Sequence, residues 1–375
     1  MWRLATSLAV LLAATGGPAF AADWSDDWSS EPMRGTYSNE PANWTDLGDT
    51  DDSVSIETGL RYWYSWGAQN FELGGASFTE SDNAHTLEGH IRIDDHLSRS
   101  YGKANVGFSA ALKGSYDDPL SGGDVVDGGI AYAGADFGWY AVGDGKGSGL
   151  GGLIGYQYWN DSPRTARMNF TTAASAADVS YNPDTGVWSL PGDSVDNNFD
   201  LHMLRLGVTG KAEFGEFFDI SAEVAAVPYA SLSGVMGGVG GDDALGPYAG
   251  CDTLPPGGCS QLGFQASEVN VSGWGYGAMG ELMAGFHPTE NITFRLGGRA
   301  WYVNGTYDAT YSRALVTAPQ LQPEIDDPNS DDPLDTIPAD PLYSAPLLDR
   351  YEVIHTENPF SLLRYGILAE LTYRF

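Results

Sequence analysis

The chain closes with Tyr365-Gly366-Ile367-Leu368-Ala369-Glu370-Leu371-Thr372-Tyr373-Arg374-Phe375. Counting back from Phe375 by twos gives Tyr373, Leu371, Ala369, Ile367, Tyr365 and Leu363, all apolar or aromatic. The other parity gives Arg374, Thr372, Glu370, Leu368, Gly366 and Arg364, mostly polar. A period of two belongs to a strand with unlike faces. Here it runs for about 13 residues, long for a soluble strand but suited to a tilted strand that crosses a bilayer.

Nine more segments with one apolar face precede it, at 53–66, 85–93, 102–114, 129–142, 150–160, 198–213, 217–230, 269–286 and 291–304. In the first, Val54, Ile56, Leu60, Tyr62, Tyr64 and Trp66 share a parity; in the fourth, Ala131, Ala133, Ala135, Phe137, Trp139 and Ala141 do. The total of about ten is even, as bacterial membrane barrels require, and a closed ring leaves no open edge. The expected fold is all-β: a closed antiparallel transmembrane β-barrel over 53–375.

The connections agree with that count. Short links are expected at Asp94–Tyr101, Gly143–Gly149, Gly215–Glu216 and His287–Glu290, on the periplasmic side. Long loops are expected at Gly67–Ala84, Ser115–Gly128, Asp161–Asn197, Ser231–Glu268 and Gly305–Phe360, facing outward. Alternation of short turns with long loops is the habit of outer-membrane barrels.

The other end of the chain sets the compartment. Arg3, the apolar run Leu4–Ala14 and Ala19-Phe20-Ala21 read as a cleaved secretory signal over 1–21. Residues 22–52 read as an acidic periplasmic tail. Over all 375 residues, 18 Lys and Arg face 50 Asp and Glu, a formal charge of −32. Such a chain repels nucleic acid. Its 42% hydrophobic content argues against acidic disorder. The only two cysteines, Cys251 and Cys259, are expected to form a loop disulfide in an oxidising compartment.

If the apolar parity faces lipid, the other parity fills the barrel. It supplies Arg61, Arg92, Lys103, Lys113, Arg205, Arg295, Arg299 and Arg364, against Glu57, Glu88, Asp136, Asp219, Glu223, Glu281 and Glu370, with His90 among them. The near balance of charge predicts ion pairing across a narrow interior rather than a wide pore. Most acidic residues are left for the loops, densest around Asp326, Asp327, Asp331 and Asp332. These four carboxylates are candidate Ca2+ ligands, since Ca2+ takes several oxygen donors; the alternative is a solvated acidic loop. No other cofactor is implied.

A terminal Phe on such a strand resembles the C-terminal signal of bacterial outer-membrane barrels. Further segments resemble the omptins, ten-stranded outer-membrane proteases. They are Leu150–Gln157 with Thr165-Ala166-Arg167, Leu206–Gly210, Glu216–Ile220 and Gly285–Asn291. The resemblance implies an aspartate pair on one wall and an Asp-x-His on the other. In Gly122–Gly129, Asp127 matches the first aspartate and Gly129 stands at the second. The Asp-x-His is expected in Ser231–Glu268, which has no histidine; Asp200-Leu201-His202 lies on an earlier strand.

Three functions follow. The first is a non-enzymatic surface protein acting through long acidic loops, with lipopolysaccharide as its neighbour and an extracellular protein as partner. The second is a hydrolase, protease or lipid A-modifying, with a site rebuilt from Asp127, Asp200 and His202. The third is a narrow channel. Arg164, Arg167 and Arg313 are candidate contacts to lipopolysaccharide.

Overall fold

The computed structural model describes residues 54–117, 122–125, 127–143, 147–164, 169–171, 178, 180–182, 187–189, 192–215, 217–237, 246–247, 261–317, 325–326, 336–337 and 347–375. The long strands are β1 (Val54–Leu73), β2 (Ala76–Asp95), β3 (Ser100–Asp117), β4 (Asp127–Gly143), β5 (Ser148–Arg164), β6 (Asn198–Phe214), β7 (Phe218–Met236), β8 (Val269–Phe286), β9 (Ile292–Thr317) and β10 (Leu347–Arg374). Each is antiparallel to the next, and β10 pairs both with β9 and with β1. The result is a ring-like, all-antiparallel sheet. Two short segments extend it at one end: Gly122–Val125 on β3 and Gln261–Gln265 on β9.

The parity read from the C-terminal strand holds around the ring. Leu371, Ile367 and Tyr365 are exposed at 47%, 52% and 48%, whereas Glu370, Leu368 and Arg364 are buried inside. On β1, Leu60 and Tyr62 face out while Arg61 and Trp63 face in.

Three sequence expectations need correction. Gly67–Ala84 is not a loop: β1 and β2 stay paired from Val54↔Asp95 to Leu73↔Ala76. Only Gly74 and Gly75 remain between them, at φ +59° and +84°. Two consecutive left-handed residues make a tight turn that glycine enters without a Cβ clash. The expected loop Gly305–Phe360 is likewise shortened, because β9 runs to Thr317 and β10 starts at Leu347.

Lys113 faces outward, not inward. Ala111 pairs with His85 and Ser109 with Thr86, so Ala110 is an extra residue. A bulge shifts the alternation by one. Leu112 takes the inward place at 3% exposure and Lys113 is exposed. β7 carries a similar irregularity between Val227 and Ala230. Pro228 falls in that gap, where its missing N–H breaks no ladder bond.

The third correction concerns the filling. The interior carries its ion-pair network towards the short-turn end. Towards the long-loop end it is mostly apolar, with Phe71, Leu73, Phe78, Phe199, Leu201, Leu232, Val271, Tyr307 and Phe360 packed around a few buried polar groups such as Arg364 and Asp82. There the two faces exchange character. On β2, outward Ile93, Ile91 and Leu87 give way to outward Asn83, Ser81, Thr79 and Ser77, while Phe78 and Ala76 turn in.

Candidate functional site

The interior forms layers, because alternate residues of every strand meet on one axis. The lowest described layer is an ion-pair network. Arg61 bonds Glu88 at 3.1 Å, contacts Glu281 at 3.4 Å and pairs with Glu370. Arg299 reaches Glu88 and Glu281, each at 2.7 Å. Arg295 joins Glu57 at 2.7 Å, Glu370 at 2.8 Å and Asp219 at 3.4 Å. Lys103 lies 2.9 Å from Glu223 and 3.5 Å from Asp136. Arg205 holds Asp136 at 2.9 Å and also pairs with Glu223. At the lower edge His287 Nε2 is 2.7 Å from Asp219.

These groups sit out of bulk water, where an unpaired charge is costly and a multiply paired one is fixed in place. The network links strands far apart in sequence, which a run of local pairs would not do. A cavity of about 280 Å³ lies beside it and reaches the short-turn rim at His96, Gly147 and Glu213.

Above the charges comes an aromatic layer. Trp159 stacks on Tyr132 with centroids 5.0 Å apart, and meets Trp301 edge-on at 4.9 Å and Trp63 at 6.1 Å. Edge-on and offset contacts are the favourable ones for such rings. Arg299 approaches the Trp63 ring to 5.2 Å and Arg364 the Trp159 ring to 5.7 Å, within cation–π range. The hydroxyl of Tyr132 donates to Glu88 at 2.7 Å, tying this layer to the one below. Free volume beside the aromatic layer falls to about 30 Å³.

Next, Arg364 donates to both oxygens of Asp82, at 2.8 and 2.6 Å, and to Ser65 at 3.2 Å. Asp161 is 3.5 Å from the same guanidinium and accepts from Gln69 at 2.9 Å. Gly67 makes room for this cluster, since a Cβ there would lie 2.4 Å from both Arg364 and Asp82. Beyond it Phe71 stacks on Phe199 at 4.6 Å and on Phe360 at 5.9 Å, with Tyr307 edge-on at 5.6 Å. A cavity of about 10 Å³, near the least that holds one water, lies beside Phe71 and Phe199.

The candidate catalytic residues are not brought together. Asp127 pairs with Arg164 at 3.1 Å, both more than half exposed. Asp200 and His202 share the outer face of β6, not the interior. Asp200 accepts from Tyr158 at 2.6 Å and from Asn160 at 2.9 Å, and His202 Nδ1 lies 2.6 Å from the Tyr156 hydroxyl. Asp127 is in register with Arg164 and Asp200 with Asn160, four places apart along β5. That separates the two carboxylate positions by about 13 Å along the sheet. A water activated by His202 would not reach Asp127.

Asp326 falls in a two-residue strand, Ile325–Asp326, paired with Thr336–Ile337. Asp327, Asp331, Asp332, Cys251, Cys259 and Arg167 lie outside the described residues, as do the expected signal at 1–21 and the tail at 22–52.

The sequence reading missed the aromatic and apolar stopper. Its signal is in the sequence: Phe71 and Leu73 share one parity and Ala76 and Phe78 the other, on either side of Gly74-Gly75. Past Trp66 the outward parity turns polar, and a polar outer face reads as a loop.

No protein-family model matches the chain. No curated protein matches it either. Among solved structures, it is similar to the outer membrane protease OmpT from Escherichia coli, at 12% identity and a TM-score of 0.49, over 87% of this chain and 98% of that one. It is also similar to the translocator domain of the autotransporter NalP from Neisseria meningitidis, at 10% identity and a TM-score of 0.32, over 88% and 90%. A FadL homologue from Pseudomonas aeruginosa matches at 11% identity and a TM-score of 0.26, over 86% and 90%. Likenesses this distant say nothing about activity.

Proposed function

We propose that the chain is a closed ten-stranded barrel of the bacterial outer membrane, sealed along its axis, and that it works through its outer end as a non-enzymatic surface protein. The observation that carries the reading is the exchange of faces along the strands. Below the exchange the ring is apolar outside and charged inside, which suits lipid. Above it the ring is more polar outside and more apolar inside, which suits water.

The dimensions support this. Outward apolar positions on β10 run from Tyr373 to Leu363. Ten residue steps cover about 33 Å of strand, or about 23 Å of depth at a 45° tilt. That matches an apolar band of about 25 Å. Aromatics mark both margins: Tyr373 against Phe375 at 4.8 Å below, and Trp66 stacked on Tyr365 at 5.6 Å above. Lipopolysaccharide is then the neighbour at the upper margin, and the acidic loops, solvated or with Ca2+ on their carboxylates, face an extracellular partner.

The sealed axis argues against a channel, and the separation of Asp127 from Asp200 and His202 argues against the rebuilt hydrolase. Both are tested with full-length protein refolded into lipopolysaccharide-containing micelles and folded by heat-modifiable gel mobility. The expected outcome is no steady single-channel conductance in planar bilayers and no hydrolysis of peptide or lipid A. Steady conductance would overturn the sealed barrel. Turnover abolished by His202→Ala would overturn the non-enzymatic reading.

A further inference from the structure

We propose that Glu57, His90 and Glu370 form a binding site for one first-row divalent metal ion, which staples the first hairpin to the last strand. The three come from β1, β2 and β10, the place where the ends of the ring meet. All three are buried, and one ligand atom from each lies within 4.8 Å of the others.

The spacing leaves room between the imidazole and the carboxylates. His90 Nε2 is 3.9 Å from Glu57 and His90 Nδ1 is 4.0 Å from Glu370; the ion takes one of these nitrogens, with an oxygen of each carboxylate within 4.8 Å of it. A hydrogen bond closes at about 2.7–3.2 Å. Two donors bound to one ion at about 2.0–2.2 Å sit about 3–4 Å apart. His90 is 8% exposed, and its Nδ1 is buried with no hydrogen-bond partner. Such a nitrogen is costly to leave bare.

Charge points the same way. The ion-pair network described above holds seven carboxylates against five Arg and Lys side chains. Arg374, 3.5 Å from Glu57 and about a third exposed, offsets part of the excess. A divalent ion beside His90 offsets the rest. Arg295 bonds both candidate carboxylates and so holds them in place, as outer partners of metal ligands do. The 280 Å³ cavity provides entry from the short-turn rim, since Glu57, His90 and Glu370 all line it. One imidazole with two carboxylates suits Zn2+ or Mn2+; Ca2+ and Mg2+ prefer oxygen alone.

The test is equilibrium dialysis of Zn2+ against the full chain, refolded in micelles, with thermal unfolding followed in parallel. The expected result is one tight Zn2+ per chain that raises the unfolding midpoint. In His90→Ala that ion binds at least tenfold more weakly and no longer shifts the midpoint. Unchanged affinity and midpoint shift in His90→Ala would overturn the proposal and leave the ion on surface carboxylates. If His90→Ala fails to fold, cadmium NMR of the wild-type protein decides. A resonance coupled to imidazole nitrogen supports the site, and an oxygen-only environment overturns it.

Discussion

Arg364 shows what a single inward position must satisfy in this molecule. It is 2% exposed, yet its guanidinium serves Asp82 on β2, Ser65 on β1 and Asp161 on β5. A bidentate Arg–carboxylate pair is strong and also fixes geometry. Truncating one partner strands the other in a dry interior, which costs about 3–5 kcal/mol. Arg364→Ala is therefore expected to lose that much in urea unfolding of refolded protein. Adding Asp82→Ala is expected to recover part of it. A loss below about 1 kcal/mol would mean that water reaches Asp82 and that the aromatic and apolar layers do not seal. The sequence made Arg364 legible as an inward charge by parity alone. It does not reveal Asp82 as its partner, because Asp82 lies where the outward face of β2 is already polar.

At the scale of elements, the β1–β2 hairpin explains why loops were harder to read than strands. Register is set by side-chain pattern and by the turn. Here the turn is Gly74-Gly75, and both residues need φ above zero. A side chain in the left-handed region costs about 1–2 kcal/mol. Gly74→Val with Gly75→Val is expected to lower stability by about the sum, measured as the urea midpoint. Gly89→Ala, with nothing within 4 Å of the added Cβ, is the neutral comparison. An unaffected double variant would contradict the tight turn. Bulges were illegible for a related reason. Ala110 is one small residue in an alternating run, and nothing in composition marks it as the extra one. Its consequence is large, since it sends Lys113 out and Leu112 in.

The whole molecule combines two regimes on one continuous set of strands. On the proposed reading lipid is the outer solvent of the lower part, so charge is driven inward and must pair. On the same reading water is the outer solvent of the upper part, which drives Phe71, Phe199 and Phe360 inward, where they stack on one another. The lower regime was readable from Phe375 backwards because its outward face is unbroken. The upper regime was not, since its alternation has the opposite sense and cancels the first in any window that spans both. The candidate site was less legible than the fold. Glu57, His90 and Glu370 were placed inside by parity, but their convergence depends on β10 meeting β1, which only the register shows.

The membrane band is the claim on which the rest depends, and spin labelling along β2 tests it most directly. With Cys251 and Cys259 replaced, single cysteines at Ile93, Ile91, Leu87, Asn83, Thr79 and Ser77 carry the label in turn. The protein is reconstituted in lipid, and relaxation by oxygen is compared with relaxation by a water-soluble nickel complex. The account predicts lipid-type accessibility at Ile93, Ile91 and Leu87. It predicts a change to water-type accessibility by Asn83 that persists through Ser77. Water-type accessibility at all six positions would contradict a bilayer around the lower half of the ring.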